Sequence, residues 1–195
     1  MPGTLSPDVY IRGDTGAMRQ TDGTTDAPVN GWLGGVVYSA VAASAAHAAT
    51  VTEALFDKQY SIPANTLVAG SVIKVRFQGI ATTTASTDTL TIKLYIGGLS
   101  GTAILTGTAT NATDNDIFTG EALIQIRTAG ANGTLVAVAS GNIVPAATRV
   151  AVPVYQITAS TAIDTTAAQV VGVGADWSTT DANSARLDIM VVEIY

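Results

Sequence analysis

The sequence predicts an all-β protein: a jelly-roll-like antiparallel β-sandwich with an extended N-terminal arm. Three observations carry this. Apolar and polar residues alternate with period two in run after run from residue 53 onward. Turn residues separate those runs at short intervals. No helical period occurs anywhere after residue 53.

Taken in order, residues 1 to about 35 are rich in Gly, Thr, Asp and Pro, and TDGTTDAPVNG (21–31) has a turn residue at nearly every position. Such a segment has little to bury and reads as an extended arm. VVYSAVAASAAHAATVT (36–52) is ambiguous, since Ala favours helix while its Val, Ser and Thr fit a strand. The extended form is the reading adopted, because an Ala/Ser/Val strand can lie flat against another backbone. The arm therefore covers 1–52 and the sandwich 53–195.

EALFDKQY (53–60) alternates loosely and leads into IPANTLVAG (62–70). Pro63 ends or edges the strand, and Asn65 and Gly70 tolerate positive φ, so a wide turn is predicted there. SVIKVRFQG (71–79) sets Ile73, Val75 and Phe77 against Val72, Lys74, Arg76 and Gln78. TLTIKLYIGG (89–98) sets Leu90, Ile92, Leu94 and Ile96 against Thr91, Lys93 and Tyr95. AILTG (103–107) is short. EALIQIRTAG (121–130) alternates with a local break at Leu123–Ile124, and Ala-Gly-Ala-Asn-Gly (129–133) joins it to TLVAVASG (134–141) as a tight hairpin. Pro153 demotes TRVAVPVYQIT (148–158) to an edge or irregular strand. AQVVGVGADWS (168–178) precedes ARLDIMVVEIY (185–195), where Leu187, Ile189, Val191 and Glu193 oppose Asp188, Met190, Val192 and Ile194. Both faces of that last strand are partly apolar. Roughly eight strands in two sheets match a jelly roll. An immunoglobulin-like sandwich competes, but its Cys–Trp–Cys core is absent from a chain with no cysteine.

Composition narrows function. Only 12% of residues are charged, about half the usual roughly 25%, and Ala, Thr, Ser and Gly take their place. A low-charge surface loses less solvation when neighbours cover it, as in large assemblies. Net charge is −6 with pI ≈ 4.4, and no basic stripe offsets it, so nucleic acid is not an expected partner. Lys58, Lys74, Arg76, Lys93 and Arg127 read as solvated strand faces. Without cysteine there is no disulfide, zinc-thiolate site or cysteine nucleophile. MPGTLSPDVYIRGD does not read as a signal peptide, and the Ala/Ser/Gly run 31–51 does not read as a membrane span.

Candidate chemistry is sparse. The single His47 supports no Ser-His-Asp or Cys-His arrangement and no His-rich metal site. Asp114, Asp116 and Glu121 are candidate calcium ligands, since hard cations need clustered oxygens, but the full alternating ligand series is missing. An acidic turn is the simpler reading. Arg12-Gly13-Asp14 and the sequons at Asn111 and Asn132 are short motifs expected by chance. Trp32 could anchor the arm in a neighbour's pocket or against its own sandwich. Trp177 fits core or rim, with a sugar-stacking platform as the sharper alternative. No catalytic residue and no cofactor are expected, and the chain does not read as an enzyme.

EALFDKQYSIPANTLVAGSVIKVRFQGIATT, DTLTIKLYIGG and VVGVGADWSTTDANSARLDIMVVEIY together resemble a group of bacteriophage virion proteins. The resemblance covers about residues 53–195, and its unusual part is the Ile-Pro-Ala-Asn-Thr-Leu turn. It implies a jelly-roll module on phage particles, as in capsid decoration (cement) proteins, head fibres or tail-associated proteins, and it implies no catalytic residues. The expected function is therefore structural: decoration of the capsid surface by multivalent contacts. Its expected partner is the major capsid protein, with Trp32, Val36, Val37 and Tyr38 in contact, and its expected form is a homotrimer free of nucleic acid and membrane. The alternative is a head- or tail-fibre module that binds host-surface glycan.

Overall fold

The computed structural model describes residues 8–11, 18–21, 26–28, 35–83, 87–107, 110–112, 115–144 and 154–195. The chain divides into two compact units, Met1–Gly35 (with Tyr195) and Val36–Ile194. In the first, β1 (Asp8–Ile11), β2 (Met18–Thr21) and β3 (Asp26–Pro28) form a three-stranded antiparallel sheet in chain order. Paired strands thus occur within the segment that reads as an extended arm.

The second unit holds β4 (Gly35–Ser39), β5 (His47–Ala48), β6 (Ala54–Ile62), β7 (Val72–Thr82), β8 (Thr89–Ile96) and β9 (Thr102–Thr106). It continues with β10 (Thr110–Asn111), β11 (Asp116–Thr128), β12 (Gly133–Val144), β13 (Val154–Ile163), β14 (Gln169–Trp177) and β15 (Ser184–Ile194). There is no helix among the described residues, and so none long and apolar enough to cross a membrane. A five-stranded sheet runs β10-β8-β14-β6, with β9 also on β8. A seven-stranded sheet runs β13-β12-β11-β7-β15-β4, with β5 also on β15. Both are antiparallel. The chain alternates between the layers at β6, β7, β8 and again at β14, β15, while β11-β12-β13 is a meander inside the larger sheet. This is the jelly-roll-like antiparallel sandwich that the alternation predicts.

The core lies between the sheets. Leu90, Ile92 and Leu94 of β8 face Val75, Phe118, Ile124 and Leu135 of the larger sheet. Phe56 of β6 stacks on Phe118 of β11 with centroids 5.9 Å apart. Fully burying a side chain of this kind contributes about 1.5–3 kcal/mol. Three core-facing glycines make room for the side chains packed against them. A methyl on Gly79 would collide with the Phe118 ring and the Arg186 carbonyl, one on Gly120 would fall 2.7 Å from Phe77 Cε1, and one on Gly141 2.6 Å from Leu105 Cδ2.

The wide turn is built as the residues dictate. β6 stops at Ile62, Pro63 follows, and Asn65 (φ 60°) and Gly70 (φ 95°) take left-handed backbone. The Asn65 amide donates to the Thr165 carbonyl (2.9 Å) and the Gly70 amide to Ile126 (2.8 Å), while Leu67 plugs into the core. β13 is the edge strand that Pro153 suggested, although Pro153 itself lies outside the described residues.

Two expectations are corrected. The break at Leu123–Ile124 is not one: β11 alternates from Asp116 to Ile126, with Ile124 buried and Leu123 facing solvent. On β15 an irregularity between Leu187 and Ile189 adds a residue at Asp188, so Leu187 shares the core side with Met190 and Val192 instead of with Ile189. Of residues 36–52, only 36–39 and 47–48 are strand, the rest being loop and bend, and the segment belongs with the compact unit that begins at Val36. Ala40 and Ser44 donate backbone hydrogen bonds to Met190 and Leu187 (2.9 and 2.7 Å), and Ser44 Oγ accepts the Leu187 amide (2.9 Å).

Candidate functional site

On β7, β11 and β12 every second residue misses the core and faces outward, and on β15 Ile189, Val191 and Glu193 do so past the irregularity at Asp188. Strand pairing lays these side chains in rows across the sheet. One row is apolar: Leu123 lies opposite Val138, and Val138 opposite Ile157. These three are 53%, 55% and 81% exposed, so the middle of the outer face carries a wet hydrophobic stripe. Lys74 and Glu193 continue the row on β7 and β15.

Beside the stripe the rows turn polar. Arg76 lies opposite Glu121 and Glu121 opposite Ser140, and in the next row Gln78 lies opposite Thr119 and Thr119 opposite Asn142. These residues line a groove of about 520 Å3. Gly120, Gly141 and Phe77 line it too, although their side-chain positions face the core, so its floor is main chain. With no Cβ beneath them, β11 and β12 settle onto Phe77 and Leu105, and the outer surface is recessed above. Ile189, Val191 and Glu193 of β15 form an opposing wall.

Arg76 Nη2 donates to Glu193 Oε1 at 3.1 Å, and Glu193 is the more buried partner. Thr119 Oγ1 is spent on the Phe77 carbonyl (3.2 Å). Gln78, Glu121 and Ser140 make no side-chain hydrogen bond among the described residues. Asn142 Oδ1 is shielded from water and accepts no hydrogen bond among the described residues. The groove thus holds unspent donors and acceptors over a backbone floor. It contains no nucleophile–base pair, and no group of three or more metal-ligating side chains occurs among the described residues.

A second polar cluster lies on the smaller sheet. Glu53 accepts from Lys93 Nζ and from Tyr95 Oη, each at 2.6 Å. The hydrogen bond to Glu53 is the main cause that raises Lys93 above its ordinary value, and burial followed by the same carboxylate raises Tyr95. All three groups are satisfied by each other, so the cluster holds the segment before β6 against β8. Nearby His47 packs edge-on against Phe56 (centroids 6.5 Å), and its backbone carbonyl accepts from Trp177 Nε1 (3.3 Å).

The residues singled out from sequence separate. Asp116 is fully buried and Glu121 exposed on opposite faces of β11, so these two do not converge, and Asp114 lies outside the described residues. Trp32 and Arg12-Gly13-Asp14 also lie outside them. Val36 (60%) and Val37 (42%) are exposed on β4, while Tyr38 stacks on Tyr60 within the chain, centroids 5.7 Å apart. Trp177 is buried in the core, which removes it as a sugar-stacking platform. The groove was not foreseen. Its signal was the outward set Arg76, Gln78 and Glu121, but only the register places these opposite Asn142 and Ser140.

Fold and surface define an all-β sandwich protein with an apolar stripe and a polar groove on one sheet face. No protein-family model and no curated protein sequence matches the chain. Among solved structures it is similar to winged bean acidic lectin complexed with methyl-α-D-galactose (TM-score 0.33, 12% identity, covering 97% of this chain and 90% of that one). It is also similar to a structure of infectious bursal disease virus Gt strain (TM-score 0.32, 13% identity, 96% of this chain and 41% of that one). A third is lectin UEA-II complexed with galactose (TM-score 0.28, 10% identity, 96% and 90%). Likenesses at this level carry no argument about what the chain does.

Proposed function

We propose that the protein is a structural component of a virus particle, a decoration protein on a phage capsid, held to the shell by the outer face of its seven-stranded sheet. The observation that carries this reading is the in-register stripe Leu123–Val138–Ile157, left in water on a chain with few charges to hydrate it. Covering the stripe contributes on the order of 1 kcal/mol per side chain. That is weak for one copy and sufficient when several sites engage together. A three-fold assembly with the major capsid protein as partner suits such a clamp, because closed symmetry multiplies each contact.

The test is particle binding. Purified protein is mixed with undecorated heads, and bound copies are counted. Many copies per head, with binding lost in a Leu123→Asp/Val138→Asp variant that stays folded, is the expected result. A few copies per virion, confined to a tail or fibre, would instead favour a fibre module for host-surface glycan, a reading to which the polar groove lends itself.

A further inference from the structure

We infer that the groove between β12 and β15 is a binding site for a short neutral oligosaccharide. This goes beyond the decoration reading: the groove lies beside the stripe on the same outer face, so a sugar and the shell would compete for that face. The ligand class follows from the chemistry of the walls. Vicinal sugar hydroxyls are best met by planar groups that donate and accept side by side, and the groove presents such groups in Gln78, Asn142 and Glu121, with the Ser140 hydroxyl beside them. Of these, Gln78, Glu121 and Ser140 are not engaged elsewhere among the described residues. Asn142 lines the groove as well, and its Oδ1 is a shielded acceptor with no donor among the described residues, so the side chain gains a hydrogen bond only by turning out toward a ligand.

Charge decides against an acidic ligand. The lining has two carboxylates, Glu121 and Glu193, against the guanidinium of Arg76, which Glu193 already neutralises at 3.1 Å. The aliphatic side chains of Ile189 and Val191 supply an apolar surface for the C–H face of a sugar ring. Strands about 4.8 Å apart place β12 and β15 about 15 Å from each other across the groove, long enough for a short chain of rings. A volume of about 520 Å3 falls in the usual range for small-ligand sites, about 300–1,000 Å3. The recessed backbone floor lets a ring approach without a side chain beneath it.

The test uses the full chain on an array of neutral and acidic oligosaccharides, followed by titration with maltotriose and with the best neutral hit, read by NMR shifts of backbone amides. Binding to at least one neutral oligosaccharide is expected, with shifts centred on residues 76–78, 119–121 and 140–142. Gln78→Ala and Asn142→Ala should each weaken it by about tenfold while amide spectra stay native. Glu121→Gln keeps the planar group and should retain binding. Absence of binding to every neutral oligosaccharide at millimolar concentration overturns the inference, as does a preference for acidic ones or shifts centred elsewhere. The sugar titration uses free protein and the decoration test counts copies on heads, so failure of the sugar site and failure of the decoration reading are separable.

Discussion

Gly120 offers the sharpest test of how the larger sheet is packed. It faces the core directly opposite Phe77 on β7, with Gly141 on its other side. In Gly120→Ala the new methyl falls 2.7 Å from Phe77 Cε1 and 3.1 Å from Cε2, with Cζ closer still. Carbon atoms prefer about 3.5–4.0 Å, so ring or strand must retreat by roughly 1 Å. Phe77 is 2% exposed and packed within the core cluster. Overpacking of this kind costs about 1–3 kcal/mol. In urea denaturation the midpoint should fall with the slope unchanged. Phe77→Leu alone should also destabilise, by less than the roughly 3–5 kcal/mol of a Phe→Ala truncation. Combined, the two should cost less than their sum by about 0.5–3 kcal/mol, because the shorter side chain vacates the space the methyl needs. A Gly120→Ala protein within about 0.5 kcal/mol of wild type, or strict additivity, would refute the packing described.

Other consequences are as direct. Burial holds the His47 imidazole below its ordinary 6.5 against the opposing pull of Asp176 and Glu53. The unfolded chain then takes up the proton first on acidification, so this contribution to stability is intact above about pH 6.5 and is lost as pH falls below it. Urea midpoints between about pH 5 and 7 should slope downward toward acid, and His47→Gln should flatten the slope; an unchanged slope contradicts the assignment. Asn65 sits at φ 60°, so Asn65→Gly should be nearly neutral and Asn65→Val should cost on the order of 1–3 kcal/mol, read from thermal melts. Asn183 donates to Asp88 Oδ2 (2.9 Å) and accepts from Thr83 Oγ1 (2.6 Å) in a nearly dry setting. Asn183→Ala should lose about 1–3 kcal/mol, and a melting temperature equal to wild type would show that the network is dispensable.

Much of the fold is legible one residue at a time. Period-two burial assigns Ile73, Val75 and Phe77, or Leu90, Ile92 and Leu94, to the core without knowledge of their partners. Left-handed backbone at Asn65 and Gly70 follows from residue type. What escapes is whatever depends on register. The bulge at Asp188 inverts the alternation of β15 because an inserted residue leaves no mark in composition. Asp116 reads as a turn acid beside Asp114, whereas pairing with Ala81 draws it into β11 and buries it. Leu123 looks like a fault in its own strand and makes sense only once Val138 and Ile157 stand beside it. The groove is illegible for the same reason: its members lie on four strands spread over more than a hundred residues of chain.

Hydroxyl-radical footprinting of free protein against protein bound to heads tests the central claim most directly, because it reports side-chain exposure residue by residue. Oxidation of Leu123, Val138 and Ile157 should fall strongly on binding, while Leu99, at the β8–β9 turn of the other sheet, should react as before. Undiminished oxidation of the stripe on firmly bound protein, or protection confined to the five-stranded sheet, would contradict the account.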